Sequence, residues 1–385
     1  MLSAMDFSFL TVGKVMFGSG RMRDIGAEAA SLGSRVLLVV GRSFARGSGL
    51  LAEILGLLTE KSLEVVVFDA VPPEPSLSVV DLGIERVRSC ECDVVVAIGG
   101  GSALDVGKAV AGLAHAPGAV REYFRGRQVE KKGLPFLAVA TTAGSGAEVT
   151  PNAVLTDEDD GVKASIRSPY LLADVAIVDP DLTLSLSPEI TAQSGMDALC
   201  QAMEAFVSMG ATPLTDALAG DAAVRLIANL PLAYLNGEDL DARTQVALGS
   251  LMGGMAFSNA RLGLVHGLAH PLGVATGLPH GLICGLLLPA VMRFNMEVSA
   301  PKYADIARRA GIADVSGSDE AVALDLPRAI ERLNAEMGLT AHLSGLRVSA
   351  DKRPGIIAQA LPSGSTKSNP RQVSAADIEG ILAAL

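Results

Sequence analysis

The feature that most constrains the fold is a succession of apolar, β-branched runs in the first half of the chain. "RVLLVVG" (35–41), "LEVVVFDA" (63–70), "CDVVVAIGGG" (92–101), "PFLAVATTAG" (135–144) and "VAIVDP" (175–180) hold few polar residues before they end. A strand with one wet face alternates polar and apolar side chains. A near-continuous apolar run needs cover on both faces, which a parallel sheet flanked by helices provides. Helical patterns such as "SGLLAEILGLLTEKS" and "VVDLGIERVRSC" lie between the runs, so the alternation predicts a doubly wound α/β domain. After Pro180 the strand-like runs stop. "SPEITAQSGMDALCQAMEAFVSM", "LTDALAGDAAVRLIANLPLAYL", "ARTQVALGSLMGGMAFSNARLGLVHGLAHPLG" and "AVALDLPRAIERLNAEMG" follow, and their period and length read as helices. "LPSGSTKSNPRQVS" (361–374) reads as a loop and "SAADIEGILAAL" as a capped final helix. The expected organisation is an α/β domain over 1–182 and an all-helical domain over 183–385. A chain of 385 residues is long enough to need two cores.

Composition excludes several classes. With 49% hydrophobic and 19% charged residues, the chain can bury a large core and is not disordered. The net charge is 31 − 42 = −11, and no basic cluster with interleaved aromatics appears, so nucleic acid is not an expected partner. The stretch from Leu262 to Met292 is apolar enough to suggest a membrane span. It also carries three histidines, Pro271, Pro279 and several glycines, which fit a buried core helix with an active-site loop better. "MLSAMDFSFLTVGKVMFGSG" has no basic start, and Asp6 interrupts its apolar run, so no secretory signal is expected. Cys90, Cys92, Cys200 and Cys284 form no C-x-x-C pair and read as free thiols in a reducing cytoplasm.

Two turns suggest a nucleotide site. "VVVAIGGGSALDVGKAVAG" is strand, glycines, then helix. Gly99, Gly100 and Gly101 allow a tight turn and close approach of a ligand, and the helix start offers N–H groups suited to pyrophosphate. The segment matches neither G-x-G-x-x-G nor a Walker loop, so alone it is equally an ordinary strand-to-helix turn. "AVATTAGSGAEVTP" ends a second strand with Thr141, Thr142, Gly144, Ser145 and Gly146. Ser145 and Glu148 also fit an S-x-x-E capping box. Two such turns at the carboxyl ends of parallel strands suit a dinucleotide crevice.

Three of the five histidines fall in "VHGLAHPLGVATGLPHG" (265–281). His266 and His270, four apart, share a helix face, and His280 follows a Pro- and Gly-bearing loop. Asp197 stands in the otherwise apolar "SGMDALCQAMEAF", with Gln201 one turn on. A buried carboxylate must be paired or bind a metal. An Asp with two or three His suits Zn²⁺ or Fe²⁺ as a Lewis acid. A capping or solvated carboxylate is the plainer reading of Asp197.

These segments, with "FGSG" at residue 17, "VAIVDPDLT" and "GLPHGLICGLLLP", resemble the iron-containing (group III) alcohol dehydrogenase family in order and spacing over nearly the whole chain. The resemblance implies a Rossmann-like NAD(P)-binding domain, a helical domain in the dehydroquinate synthase-like manner, an active site in the cleft between them, and a homodimer. By position, Asp197, His266 and His280 look like metal ligands, and His270 like the histidine near the nicotinamide that relays a proton. The family's fourth ligand is a His where this chain has Gln201, a weaker donor. The site could hold metal through three residues and water, as the related glycerol dehydrogenases do with zinc. It could instead use Gln201, or work without metal, as the related maleylacetate reductases are thought to. A non-redox enzyme resembling dehydroquinate synthase is a further alternative, though the helical domain offers few anion-binding cations near Asp197.

Candidate cofactor contacts are Gly41, Ser43, Gly100, Gly101, Ser102, Asp105, Thr141, Thr142 and Ser145, with Lys163 matching a family lysine that reaches the cofactor. The first long run ends in Gly41, Arg42 and Ser43, with Arg46 and Ser48 beyond. No carboxylate stands there to repel a 2′-phosphate, so NADP use, or use of both NADP and NAD, is expected. The reading as a whole is a cytoplasmic alcohol dehydrogenase and aldehyde reductase acting on a small molecule.

Overall fold

All five runs become strands of one parallel sheet in a computed structural model of the protein, which describes residues 6–42, 49–313 and 316–385. The strands of the first half are β1 (Lys14–Phe17), β2 (Arg35–Gly41), β3 (Glu64–Val71), β4 (Val94–Gly99), β5 (Phe136–Ala140), β6 (Asn152–Asp157), β7 (Val162–Arg167) and β8 (Val175–Val178). The sheet order is β1-β8-β5-β4-β2-β3, with every pairing parallel. Every residue of β4 and β5 is buried, as strands covered on both faces require. The helices of this part include α1 (Ile25–Leu32), α2 (Leu50–Thr59), α3 (Leu77–Ser89) and α4 (Gly101–Leu113). Ile25, Ile54 and Leu58 pack with Leu38, Val96, Leu137 and Ile177 in one core. From β2 the chain first moves outward to β3 and then returns to place β4 on the other side of β2. That reversal opens a crevice at the carboxyl ends of β2 and β4, where Gly41 and Gly99 end their strands.

Sequence reasoning missed β1 and the antiparallel β6–β7 hairpin. β1 is only four residues long, and β6 alternates half-buried and buried positions over six, too short a pattern to stand out. The hairpin is tied to α4 from inside. Asp105 accepts the Val154 N–H at 3.1 Å, and Lys108 Nζ donates to the Asn152 carbonyl at 2.7 Å and to Thr150 Oγ1 at 3.1 Å. The expected S-x-x-E capping box does not form. Gly146, at φ 61°, opens a 3₁₀ turn over Ala147–Val149, Ser145 Oγ accepts from Ala147 instead, and Glu148 is buried.

The chain divides into two compact units, Leu10–Thr183 and Leu184–Leu385, the latter joined by residues 6–9. The second unit has no strand among its described residues. Its principal helices are α5 (Pro188–Val207), α6 (Pro213–Leu235), α7 (Leu240–Ala260), α8 (Leu264–Thr276), α9 (His280–Arg309) and α10 (Asp325–Glu336). Ser187, Thr212 and Asp239 cap α5, α6 and α7 by accepting from the N–H groups of Ile190, Thr215 and Ala242, and prolines occupy the first turns of α5 and α6. Ser374 caps the final helix, Ala375–Ala384.

The long segment 242–273 is broken rather than continuous. Ser208 Oγ donates to the Ala260 carbonyl at 2.6 Å, satisfying an acceptor that a continuing helix would use. Arg261 turns out of the helix at φ 70°, and α8 starts afresh at Leu264. The segment 361–374 is also more than a surface loop. Residues Gly364–Lys367 form a helical turn, and Asn369 is buried in a mutual amide pair with Asn295 at 2.7 and 3.0 Å. Both α6 and α9 have the length and mean hydropathy of a membrane span, yet 61% of the most apolar window of α9 is buried within the fold, as a core helix requires. For α6 the share is 39%, and this helix packs along α5 and α7.

Candidate functional site

Three helices bring a cluster of donor atoms together in the second unit. α5 supplies Asp197, Cys200, Gln201 and Glu204, α8 supplies His266 and His270, and α9 supplies His280 and Cys284. Two glycines allow the approach. A Cβ on Gly281 would stand 2.1 Å from the Gln193 carbonyl oxygen, so the start of α9 lies directly on the α5 backbone, with His280 beside Asp197. A Cβ on Gly267 would stand 2.0 Å from Thr366 Oγ1, so α8 is pressed onto the turn at 364–367. The first turn of α8 is held by side chains: Leu264 N–H donates to Asn369 Oδ1 at 3.2 Å and Val265 N–H to Glu204 Oε1 at 2.6 Å. A carboxylate at a helix start also meets the positive end of its dipole.

Glu204 Oε2 lies 2.6 Å from His266 Nδ1. That carboxylate accepts from Nδ1 and fixes the ring, and Nε2 is directed at Asp197 Oδ1 at 3.3 Å. His280 Nε2 is 3.7 Å from the same oxygen. Cys284 Sγ lies 3.5 Å from His280 Nε2 and 3.9 Å from His266 Nε2. One ligand atom from each of Asp197, His266, His280 and Cys284 falls within 4.8 Å of all the others. The His266 and Asp197 side chains are nearly enclosed, whereas His280 keeps 27% of its side-chain surface, leaving one open side. The His270 ring stacks on His280, with centroids 5.0 Å apart.

Burial disfavours charge at His266, but the negative groups at Cys284 and Glu204 and the hydrogen bond to Asp197 outweigh it and raise its pKa well above the ordinary imidazole value. Burial likewise opposes thiolate formation at Cys284, yet the hydrogen bond with Cys200 and the adjacent His280 and His266 hold its pKa well below the usual thiol value. Protons thus compensate a cluster of anionic donors, a place a divalent cation can take. Gln201 is consistent with that. Its Oε1 is buried with no hydrogen-bond partner among the described residues, a costly state for an amide oxygen. The donors present therefore fit a divalent metal.

The nucleotide candidates gather in the first unit. Gly99 turns at φ 152°. A Cβ on Gly100 would meet Thr142 Oγ1 at 3.3 Å, and one on Gly101 would meet Ser145 Oγ at 3.0 Å, so the turns after β4 and β5 lie against each other. Thr141 N–H donates to the Gly99 carbonyl at 3.0 Å. Ser102 stands in the first turn of α4, which no side chain caps, leaving N–H groups of the kind that suit a pyrophosphate. Gly41 ends β2 with open space where a Cβ would be, and Arg42 Nε donates to the Ala70 carbonyl at 3.1 Å. Asp105 is committed to the hairpin, and Lys163 pairs with Glu74 at 2.8 Å. Ser43, with Arg46 and Ser48, lies outside the described residues.

Sequence reasoning missed Glu204 and Cys284. Each was detectable by helical spacing, Glu204 seven residues after Asp197 and Cys284 four after His280, which puts each near the face of a residue already singled out.

Comparison with known proteins agrees over the full length. The family model described as iron-containing alcohol dehydrogenase matches residues 13–180, and its C-terminal counterpart matches 191–385. The chain is 35% identical to the NAD-dependent methanol dehydrogenase of Bacillus methanolicus, covering 95% of this chain and 96% of that one. It is 35% identical to the lactaldehyde reductase of Escherichia coli, covering 94% and 95%. A crystal structure of a 1,3-propanediol oxidoreductase superposes with a TM-score of 0.95 at 36% identity, covering 99% and 100%. The chain belongs to the iron-containing alcohol dehydrogenase family and is an NAD(P)-dependent oxidoreductase of alcohols and aldehydes.

Proposed function

We propose that Asp197, His266 and His280 hold a divalent metal at which small, uncharged alcohols and aldehydes are interconverted, with His270 relaying the proton. The observation that carries this reading is the convergence of Asp197, His266 and His280 donor atoms, with 3.3 and 3.7 Å between the carboxylate oxygen and the two imidazoles. When bound, the metal supplies Lewis acidity at the substrate oxygen and the nicotinamide accepts or gives the hydride. The chain's own residues do the rest. Glu204 fixes the tautomer and orientation of His266. His270, stacked on His280 at the open side, takes the alcohol proton toward solvent in oxidation and returns it in reduction. The methanol, lactaldehyde and propanediol in the relatives' names support a small substrate.

The nucleotide is assigned to residues 1–182, at Gly41, Ser43, Gly100, Gly101, Ser102, Thr141, Thr142 and Ser145, with Asp105 supporting the turn from behind and Lys163 at its margin. Metal and substrate fall to 183–385. Without a carboxylate at the end of β2, NADP is accepted as well as NAD. The enzyme is assigned to the cytoplasm as a homodimer, on the family resemblance. Asp197→Ala and His280→Ala test the site. Each is expected to lose bound metal and turnover while still quenching or enhancing NAD(P)H fluorescence as the parent does. Retention of metal by both variants would refute the assignment.

A further inference from the structure

We propose that the Cys284 thiolate is a fourth protein ligand of this metal, standing in for the imidazole that Gln201 does not provide, and that the site therefore selects zinc over iron. The inference rests on the metal reading above. Cys284 is fully buried, but its sulfur does not sit among apolar side chains as a merely structural buried thiol would. It faces two imidazoles and a carboxylate from three helices.

The spacings carry the argument. Metal–nitrogen and metal–oxygen bonds of about 2.0–2.1 Å and a metal–sulfur bond of about 2.3 Å place tetrahedral donors about 3.3 Å apart for N and O, and about 3.6 Å apart for N and S. The separations here are 3.3 Å for Asp197 to His266, 3.7 Å for Asp197 to His280, 3.5 Å for Cys284 to His280 and 3.9 Å for Cys284 to His266. Four of the six edges thus lie within about 0.4 Å of the tetrahedral values, and the other two are no longer than 4.8 Å. Gln201 offers a neutral amide oxygen, whereas Cys284 offers a charged, soft donor. Soft thiolate with imidazole shifts preference from iron(II) toward zinc.

The experiment is the absorption spectrum of the full-length protein, stripped with chelator and reloaded with cobalt(II). Visible d–d bands report bound metal whatever its donors, and a near-ultraviolet charge-transfer band reports sulfur coordination. The expected result is both sets of bands, with the charge-transfer band lost in Cys284→Ala and kept in Cys200→Ala, whose thiol is the other one nearby. Zinc affinity, by competition with a chromophoric chelator, should fall about tenfold or more in Cys284→Ala, since even outer-shell ligand partners are worth that much. Strong d–d bands with no sulfur band in the parent protein would overturn this inference and leave the metal site standing. So would a sulfur band that disappears only in Cys200→Ala. No cobalt retained at all would overturn the metal reading itself. The parent spectrum decides even if Cys284→Ala fails to fold.

Discussion

His266 shows how much of a site is held by residues one shell away from it. Its Nδ1 is fixed by Glu204 at 2.6 Å, and the other oxygen of that carboxylate holds Val265 N–H at 2.6 Å, so one side chain sets both the imidazole and the helix that carries it. Glu204→Gln keeps the size but removes the charge that holds the Nδ1 proton. Metal affinity is expected to fall about 10–100-fold with the far-ultraviolet circular dichroism unchanged. Unchanged affinity would mean that His266 is oriented by packing alone. At this scale the sequence is informative where chemistry breaks the local pattern. Asp197, His266, His270 and His280 stand out because each is polar in an apolar run. Glu204 does not, because an acid on a helix is ordinary, and Cys284 passes for a hydrophobe. Helical spacing puts them near the faces of Asp197 and His280, and the convergence of α5, α8 and α9 then sets them apart from other acids and thiols.

Among the elements, glycine decides how closely the helices meet. Gly281→Ala must push α9 off the Gln193 carbonyl, 2.1 Å from the added carbon. It is expected to cost about 1–3 kcal/mol in urea unfolding and to weaken metal binding by parting His280 from Asp197. Gly56→Ala in α2, where no atom lies within 4 Å, is the control and should gain up to about 1 kcal/mol from helix propensity. In the sheet, the Asp93 carboxylate accepts from Ser34 N–H, Arg35 N–H and the Ser34 hydroxyl at 2.8 Å each, joining the starts of β2 and β4. Partial burial raises its pKa, but the bonds from Arg35 and Ser34 prevail and hold it below the ordinary 3.8. A carboxyl depressed in the fold stabilises it above the unfolded value, and the contribution is lost as pH falls through the folded one. Asp93→Asn, with one accepting oxygen instead of two, should cost about 1–3 kcal/mol at neutral pH. The gap should narrow as pH falls below about 5 and on through the folded pKa, which lies below 3.8. A gap independent of pH would show that the charge is not involved. Sheet strands with two buried faces were legible because their apolar runs are continuous. β1 and the β6–β7 hairpin were not, being short or half-wet. The break at Arg261 escaped notice because its cause, Ser208 on the Ala260 carbonyl, lies 52 residues away.

Across the whole molecule, the two textures of the sequence become two units, a parallel sheet whose glycine turns suit a dinucleotide and a helical unit that gathers four donors able to hold a metal. The parallel sheet follows from pattern alone, because burial on both faces leaves few alternatives. The helices of the second unit follow from period and length, but their arrangement needed the family resemblance, since several packings of long apolar helices would bury them equally well. The proposed chemistry depends on a metal held by Asp197, His266 and His280 despite Gln201. The most direct test is elemental analysis of anaerobically purified protein, paired with NADPH and NADH oxidation against small aldehydes before and after chelation. The expected result is about one metal per chain, turnover abolished by the chelator, and turnover restored by added zinc. Protein free of metal that turns over at an undiminished rate would contradict it.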